Sequence, residues 1–318
     1  MIHFVKNIRI QNLLSFGPDS PELELKPINI IIGPNGSGKS NLLAALSLCV
    51  DRNTRTAEIN GQYKNWFWNH DFQTPASIAI KTAAKNRYKL TLTCNGEVFE
   101  YSRSGTDFGD KIFLFRSWQF GPFAPIRQPQ SADHSNRRLA SDACNLGLVL
   151  KRIKSNKRNA AVFLGFLREL YENAEDIAFQ NAAGYTFFTI VENGRKVPAT
   201  RISDGTLRYL ALLAVLCDPD PPNLICLEEP EMGLHPDLIQ VAAKAIRYAS
   251  ERAQIIATTH SVALVDKFTD SPENIVVCEK IDGSTVLARL DPDEIAPWLE
   301  KYRLGDLWVS GQIGGNRW

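Results

Sequence analysis

Gly33-Pro34-Asn35-Gly36-Ser37-Gly38-Lys39-Ser40 spells G-x-x-x-x-G-K-S. It follows the β-rich run Ile28-Asn29-Ile30-Ile31-Ile32 and opens an apolar helical stretch, Asn41 to Cys49. Strand, glycine loop and helix in that order is the setting that a nucleotide phosphate loop requires. The glycines let the backbone curl so that successive N–H groups point at phosphate oxygens, and the helix start adds a favourable dipole. Lys39 can then reach the β/γ-phosphates, and the Ser40 hydroxyl can take a place on Mg²⁺. The competing reading is a glycine-rich turn that merely precedes a helix; the motif and its context together argue against it.

The chain has 318 residues, 44% hydrophobic and 22% charged, a composition ordinary for a globular protein with a substantial core. Lys+Arg 36 against Asp+Glu 35 leaves a formal charge of +1, so no overall basicity announces nucleic acid. Contact with nucleic acid would need a local patch. Cys49, Cys94, Cys144, Cys217, Cys226 and Cys278 lie far apart with no C-x-x-C pair, which reads as reduced thiols rather than a disulfide or zinc framework. Neither a signal-peptide pattern nor a long uncharged apolar run is seen, so a cytoplasmic protein with no membrane partner is expected.

Outward from the phosphate loop, Ile2 to Gln11 reads as an edge strand and Leu23 to Leu25 as a second. The aromatic-rich stretch Gln62 to Phe72, with Tyr63, Trp66, Phe67 and Trp68, suits core packing better than base stacking. Ala76 to Lys81, Tyr88 to Cys94 and Val98 to Ser102 alternate with period two and suggest an antiparallel meander turning at Asn95-Gly96. Lys111 to Phe115 is a further short strand. Trp118 to Ser131, with Pro122, Pro125 and Pro129, reads as a loop. Leu139 to Tyr171 is helical in period with a break near Ser155-Asn156. Lys151 to Arg158 carries five positive charges in eight residues; it is either a solvated helix end or a contact for an acidic partner or nucleic-acid backbone.

Arg201-Ile202-Ser203-Asp204-Gly205-Thr206-Leu207 precedes an apolar helix, with Ser203 as a plausible N-cap and an anion-accepting end at Asp204-Gly205. Pro222 to Glu231 follows, a buried strand ending in Glu228-Glu229-Pro230. Neighbouring strand side chains point to opposite faces, so a division of labour is expected: Glu228 on Mg²⁺, Glu229 on the attacking water. Glu231-Met232-Gly233-Leu234-His235-Pro236 turns into the helix Asp237 to Ser250. Gln254 to Thr259 is another buried strand, which places His260 at a sheet edge where α/β folds bind ligands.

Taken together, G-P-N-G-S-G-K-S, I-S-D-G-T-L-R, L-I-C-L-E-E-P-E-M-G-L-H-P and A-T-T-H-S resemble the ABC-type ATPases of the RecF/SMC/OLD-like branch. The resemblance is greatest to its stand-alone prokaryotic predicted AAA family ATPase group. The N-terminal I-R-I-Q-N-L-L-S-F also looks like that branch's opening strand. The resemblance implies an α/β P-loop NTPase: an ATPase head with a mixed central sheet, an antiparallel β layer and a short helical insertion. One composite domain is expected, with an N-terminal lobe over 1–117, a helical arm over 118–199 and a C-terminal lobe over 200–318. It also implies ATP and Mg²⁺ as cofactors. Gly33, Pro34, Asn35, Gly36, Ser37, Gly38, Lys39, Ser40 and Asn41 would hold the phosphates, with Ser203, Asp204 and Gly205 as signature loop. Ser40, Glu228 and Gln119 would be placed at the metal, and Glu229, His260 and Lys39 at the chemistry. Gln128 competes with Gln119 for the Q-loop position. Two departures stand out: Glu228 sits where aspartate is usual, and Asp204 where glycine is common.

The interval between phosphate loop and signature is too short for a long SMC-like arm, and the stretch after His260 too short for a Toprim nuclease domain. The expectation is a slow ATPase that dimerises through a nucleotide sandwich. By resemblance it is the regulatory subunit of a prokaryotic anti-phage defence system, acting on a separately encoded nuclease or toxin effector. The alternative is a RecF-like DNA-binding ATPase of recombination and repair; a transporter subunit fits the motif spacing poorly. The tail Leu304 to Trp318 is too apolar for a solvated end and is expected to pack on the fold or on a partner.

Overall fold

In the computed structural model, residues 4–50, 63–95, 98–116, 118, 120–171 and 173–314 are described. β1 (Val5–Gln11), β2 (Leu23–Glu24) and β3 (Ile28–Ile32) lead into α1 (Lys39–Val50). β4 (Ala76–Thr82), β5 (Arg87–Asn95), β6 (Val98–Gly105) and β7 (Ile112–Phe115) follow. Next come β8 (Gln130–Ser131), α2 (Leu146–Ser155), α3 (Lys157–Leu170), β9 (Ala174–Ala182), β10 (Tyr185–Glu192) and β11 (Arg195–Pro198). The chain continues with α4 (Asp204–Leu216), β12 (Leu224–Glu228), α5 (Pro236–Ser250), β13 (Gln254–Thr259) and α6 (Val262–Asp266). β14 (Ile275–Ile281), β15 (Ser284–Arg289), α7 (Pro292–Leu299) and α8 (Leu304–Val309) complete it. Two compact units result, one from residues 1–114, 222–229 and 250–318, the other from 115–221 and 230–249.

The first unit holds two sheets. The six-stranded one runs β15-β14-β3-β13-β12-β7. β3 pairs in parallel with both β13 and β14, and β13 in parallel with β12, while β15 returns antiparallel on β14. β3 and β13 are buried at every position, as the continuous apolar runs of a sheet covered on both faces require. The five-stranded sheet β2-β1-β4-β5-β6 is antiparallel throughout. Its inward residues Ile8, Ile10, Ile78, Ile80 and Leu90 share one core with Leu42, Leu43 and Leu46 of α1 and with Cys226 and Ile256. Trp66 and Phe67 join that core, as the aromatic run suggested. The turn expected at Asn95-Gly96 includes Gly96, which lies outside the described residues.

Two buried amides tie the layers together. Gln254 accepts the Val5 N–H at 2.8 Å and donates to the Val5 and Lys26 carbonyls, each at 2.9 Å. Asn29 accepts the Lys26 N–H at 2.9 Å and donates to the Ile255 carbonyl at 3.0 Å. A buried polar group costs free energy unless paired, and every bond here is between segments distant in sequence or at a strand start.

In the second unit the helical period continues only from Leu146, and Asn156 caps α3 by accepting the Asn159 N–H. The insertion is not helical throughout. Its second half is an antiparallel sheet in which β10 pairs with β8, β9 and β11. Thr186, Phe188 and Ile190 alternate inward along β10, a period-two pattern that a helix could not bury on one face. α4 is buried at almost every position. Arg152 of α2 holds the buried Asp218 carboxylate at 2.6 Å, and Asn159 of α3 donates to the Cys217 carbonyl at 2.9 Å.

The start of the tail folds back within the first unit. Leu304, Leu307 and Trp308 of α8 are buried. The Gly305 N–H donates to Asp266 Oδ1 at 2.7 Å, and a Cβ there would collide with Asp266 and Val262 of α6. Trp318 lies outside the described residues. All six cysteines are free, with Cys49, Cys217, Cys226 and Cys278 buried.

Candidate nucleotide site

β3 delivers Gly33 at its C-terminal edge, and α1 begins at Lys39. Close approach explains two of the glycines between them. A Cβ on Gly33 would collide with the Cys278 carbonyl of β14, and one on Gly38 with the Thr285 hydroxyl of β15. Gly38 also has φ of 116°, a backbone conformation that L side chains resist. Thr285 Oγ1 lies 2.7 Å from both the Ser37 carbonyl oxygen and Ser15 Oγ. Asn41 donates to Ser15 Oγ at 2.8 Å, and the Thr285 N–H donates to the Ser15 carbonyl at 2.7 Å. Ser15, Cys278 and Thr285 thus mould the loop from outside. No spacing in the sequence points to them, because they reach it through strand pairing.

No acidic residue occupies the first turn of α1, so its N-terminal end stays electropositive. Lys39 is 5% exposed, and its Nζ donates to the Gly33 carbonyl at 2.8 Å and the Pro34 carbonyl at 2.9 Å. Burial lowers its pKa, opposed by the neighbouring Cys278, Glu229 and Glu228. Asn35, Gly36 and Ser40 are exposed. A cradle from which Cβ atoms are excluded, an ammonium on loop carbonyls and a helix start without an acid fit the phosphates of a nucleotide. Ser40 and Glu228 supply the oxygen donors that Mg²⁺ takes.

Four buried residues of β12 run up to the half-buried Glu228. The strand alternation expected to send Glu228 and Glu229 to opposite faces stops there. Glu229 turns to φ of 46°, and its N–H donates to the Thr258 carbonyl at 3.0 Å. Both carboxylates consequently act on Lys39. A left-handed non-glycine residue costs roughly 1–3 kcal/mol, and such residues cluster at functional sites. His260 follows the last residue of β13, with Nε2 3.3 Å from Glu229 Oε1. Burial and the charge of Lys39 lower the histidine pKa, against Glu229; the ring is neutral at pH 7. First-unit residues expected at the chemistry, Lys39, Glu229 and His260, therefore converge. Gln119 lies outside the described residues.

In the second unit, Ser203 caps α4 by accepting the Thr206 N–H at 3.2 Å. Asp204, in the first turn, is held by the buried guanidinium of Arg127. Arg127 also donates to the Ala199 carbonyl at 2.9 Å and the Ile202 carbonyl at 2.6 Å. One turn on, the Arg208 guanidinium lies 4.4 Å from the centre of the Phe120 ring. Gly233, at φ of 74°, packs on that arginine so closely that a Cβ would collide with it. Burial lowers the Arg208 pKa, with Asp204 opposing. The segment 120–127, the start of α4 and the turn 231–236 form one packed cluster. Arg127 and Arg208 escaped the sequence reading because an arginine in a loop or on a helix looks solvated until its partners are placed.

Two family models match the chain. One, described as an AAA domain of the AbiEii-toxin, type IV toxin–antitoxin group, covers residues 123–266; the other, an AAA domain, covers residues 7–128. No curated protein matches in sequence. In structure the chain is similar to an SmcHead bound to the C-winged helix domain of ScpA, with TM-score 0.68 and 13% identity over 92% of this chain and 99% of that one. It is similar as well to a Smc head domain with an extended coiled coil, bound to the C-terminal domain of ScpA, from Pyrococcus furiosus. There the TM-score is 0.65 and the identity 13%, over 94% of this chain and 99% of that one. The SMC head domain from Thermotoga maritima gives 0.55 and 14% over 91% and 99%. The fold is that of the SMC head domains, an α/β P-loop fold as the motifs implied.

Proposed function

We propose that the protein is an ATP-binding switch that hydrolyses ATP slowly with Mg²⁺ and dimerises through its nucleotides. The observation that carries this reading is the buried Lys39 ammonium held on the carbonyls of the glycine loop, with Glu229 at the end of β12 lying 3.3 Å from His260 in the same unit. Lys39 would leave its loop carbonyls for the β/γ-phosphates. Glu229, its backbone fixed by the Thr258 carbonyl, would accept a proton from the attacking water, and the neutral His260 ring would hold that carboxylate in place. Mg²⁺, held by Ser40 and Glu228, would neutralise charge on the phosphates. Ser203 and Gly205 would close over the nucleotide of a second copy, with the acid between them neutralised by Arg127.

The toxin–antitoxin description of the family model over residues 123–266 supports a regulatory ATPase in prokaryotic anti-phage defence. A separately encoded effector would be its partner, as ScpA domains partner the two Smc heads. The test is phosphate release and light scattering with and without Mg-ATP, followed by recovery of bound proteins from the native host. ATP-dependent dimers with slow turnover and a co-purifying nuclease or toxin are expected. A monomer indifferent to ATP would overturn the switch.

A further inference from the structure

The outer face of the five-stranded sheet carries a charge pattern that no single stretch of sequence displays. Directly paired residues of neighbouring strands share a face. The register therefore sets Arg9 of β1, Ala79 of β4, Lys89 of β5 and Ser104 of β6 in one row across the sheet. Lys81 of β4 and Arg87 of β5 are paired in the next row. The alternate residues Ile8, Ile80 and Tyr88 turn inward to the core, so Arg9, Lys81, Arg87 and Lys89 all stand outward and exposed. Arg87 and Lys89 are two residues apart on one strand, roughly 7 Å, and Arg9 and Lys89 two strands apart, roughly 10 Å. Such separations are comparable to the Debye length of about 8 Å at physiological salt, so the cations act as one patch.

The acids of this face do not balance it. Glu22 is bonded to Lys81 at 2.9 Å, and Glu24 stands at the β2 edge. Glu100 is opposite Thr93, two rows beyond Lys89. Arg87 and Lys89 have no acidic partner among the described residues. The basic run at Lys151 to Arg158 differs, because Arg152 is held by Asp218 and Lys154 by Asp176. Beside the outer cations lie Ala79, Thr91, Ser102 and Ser104; these rows present neither an aromatic ring nor a large apolar side chain. A protein partner would need an apolar centre, where lysine is depleted, and a single strand would need rings for its bases. A flat, polar, positively charged face suits a duplex backbone, whose phosphates take cations and hydroxyl donors without base contact. We propose that this face binds the phosphate backbone of double-stranded nucleic acid without regard to sequence, through Arg9, Arg87 and Lys89.

The face is built without the phosphate loop, so the parent and Lys39→Ala proteins should bind alike and the outcome does not depend on ATP hydrolysis. The measurement is anisotropy of two labelled DNA duplexes of unlike sequence, titrated between 50 and about 200 mM salt. Both duplexes should bind with equal affinity that falls steeply as salt rises. Arg87→Thr and Lys89→Thr, on outward strand positions that threonine suits, should each lower the salt slope by about 0.9, and together weaken binding about tenfold. Lys81→Thr should do less, because Glu22 already holds that ammonium. Lys89→Arg should restore both affinity and slope, and melting temperatures should stay unchanged. The proposal is overturned if neither duplex binds at 50 mM salt, or if the double variant binds with the slope of the parent. Polyglutamate competing as well as duplex at equal charge would assign the face to an acidic protein and overturn the nucleic-acid reading. A preference between the two duplexes would overturn recognition through the backbone.

Discussion

The starts of α1 and α4 make an instructive pair. Each opens an apolar, largely buried helix, α1 after the glycine loop 33–38 and α4 after the single turn Ala199–Arg201 and the cap Ser203. α1 carries a lysine and no acid in its first turn, whereas α4 carries Asp204 there, already held by Arg127. The first end is prepared to hold an anion by itself. At the second, the helix dipole is met by an aspartate and the aspartate by an arginine. Backbone donors alone do not distinguish the two; the charges placed around them do. On the proposed reading α1 would bind the nucleotide, and α4 would contribute only through a second copy.

The sharpest way to break the comparison is at the acids beside α1. Glu229→Gln keeps the shape but removes the carboxylate that would take a proton, and turnover should fall by at least about 10²-fold while ATP still binds. If Glu228→Gln alone abolishes phosphate release and Glu229→Gln does not, the two roles are exchanged. Lys39→Ala comes next. It deletes a charged donor from the loop, and calorimetry should show ATP affinity weaker by about 10²-fold; unchanged affinity in a folded variant would remove the premise.

A smaller effect is expected at α4. Arg127→Met strands Asp204 and two carbonyls, a change that costs about 3–5 kcal/mol for a fully buried pair and less here, because Asp204 is 53% exposed. Thermal melts should show the loss, and ATP binding at the phosphate loop should be retained. Pairing Arg127→Met with Asp204→Gly should recover part of it. If Arg127→Met weakened ATP binding as much as Lys39→Ala does, the two helix starts would not be independent.

The smallest effect concerns pH. The unfolded His260 ring titrates near 6.5, and the folded ring lower because of burial and Lys39. Between those values the unfolded chain binds more protons, so stability should decline as pH falls through about 6.5. Melts across that range should show a shallow slope, flattened by His260→Gln. A slope of opposite sign would mean that Glu229, not burial and Lys39, dominates the imidazole.

Local spacing made the phosphate loop, the acidic end of β12, the Ser203 cap and the edge position of His260 legible in the sequence. Each depends on neighbours within a few residues: glycines for the turn, apolar runs for buried strands, serine for a helix start. The aromatic stretch around Trp66 and the apolar tail could be read the same way, since burial follows side-chain type. The left-handed turn at Glu229 could not be read, because only a strand pairing with Thr258 ends the alternation there. Nor could the β9–β10 hairpin be separated from the helices before it until its alternating residues had a sheet to face. Ser15, Cys278 and Thr285 around the phosphate loop, and Arg127 and Arg208 around α4, act across large sequence separations. Their roles are set by distance in space, which chain folding fixes and residue type alone does not.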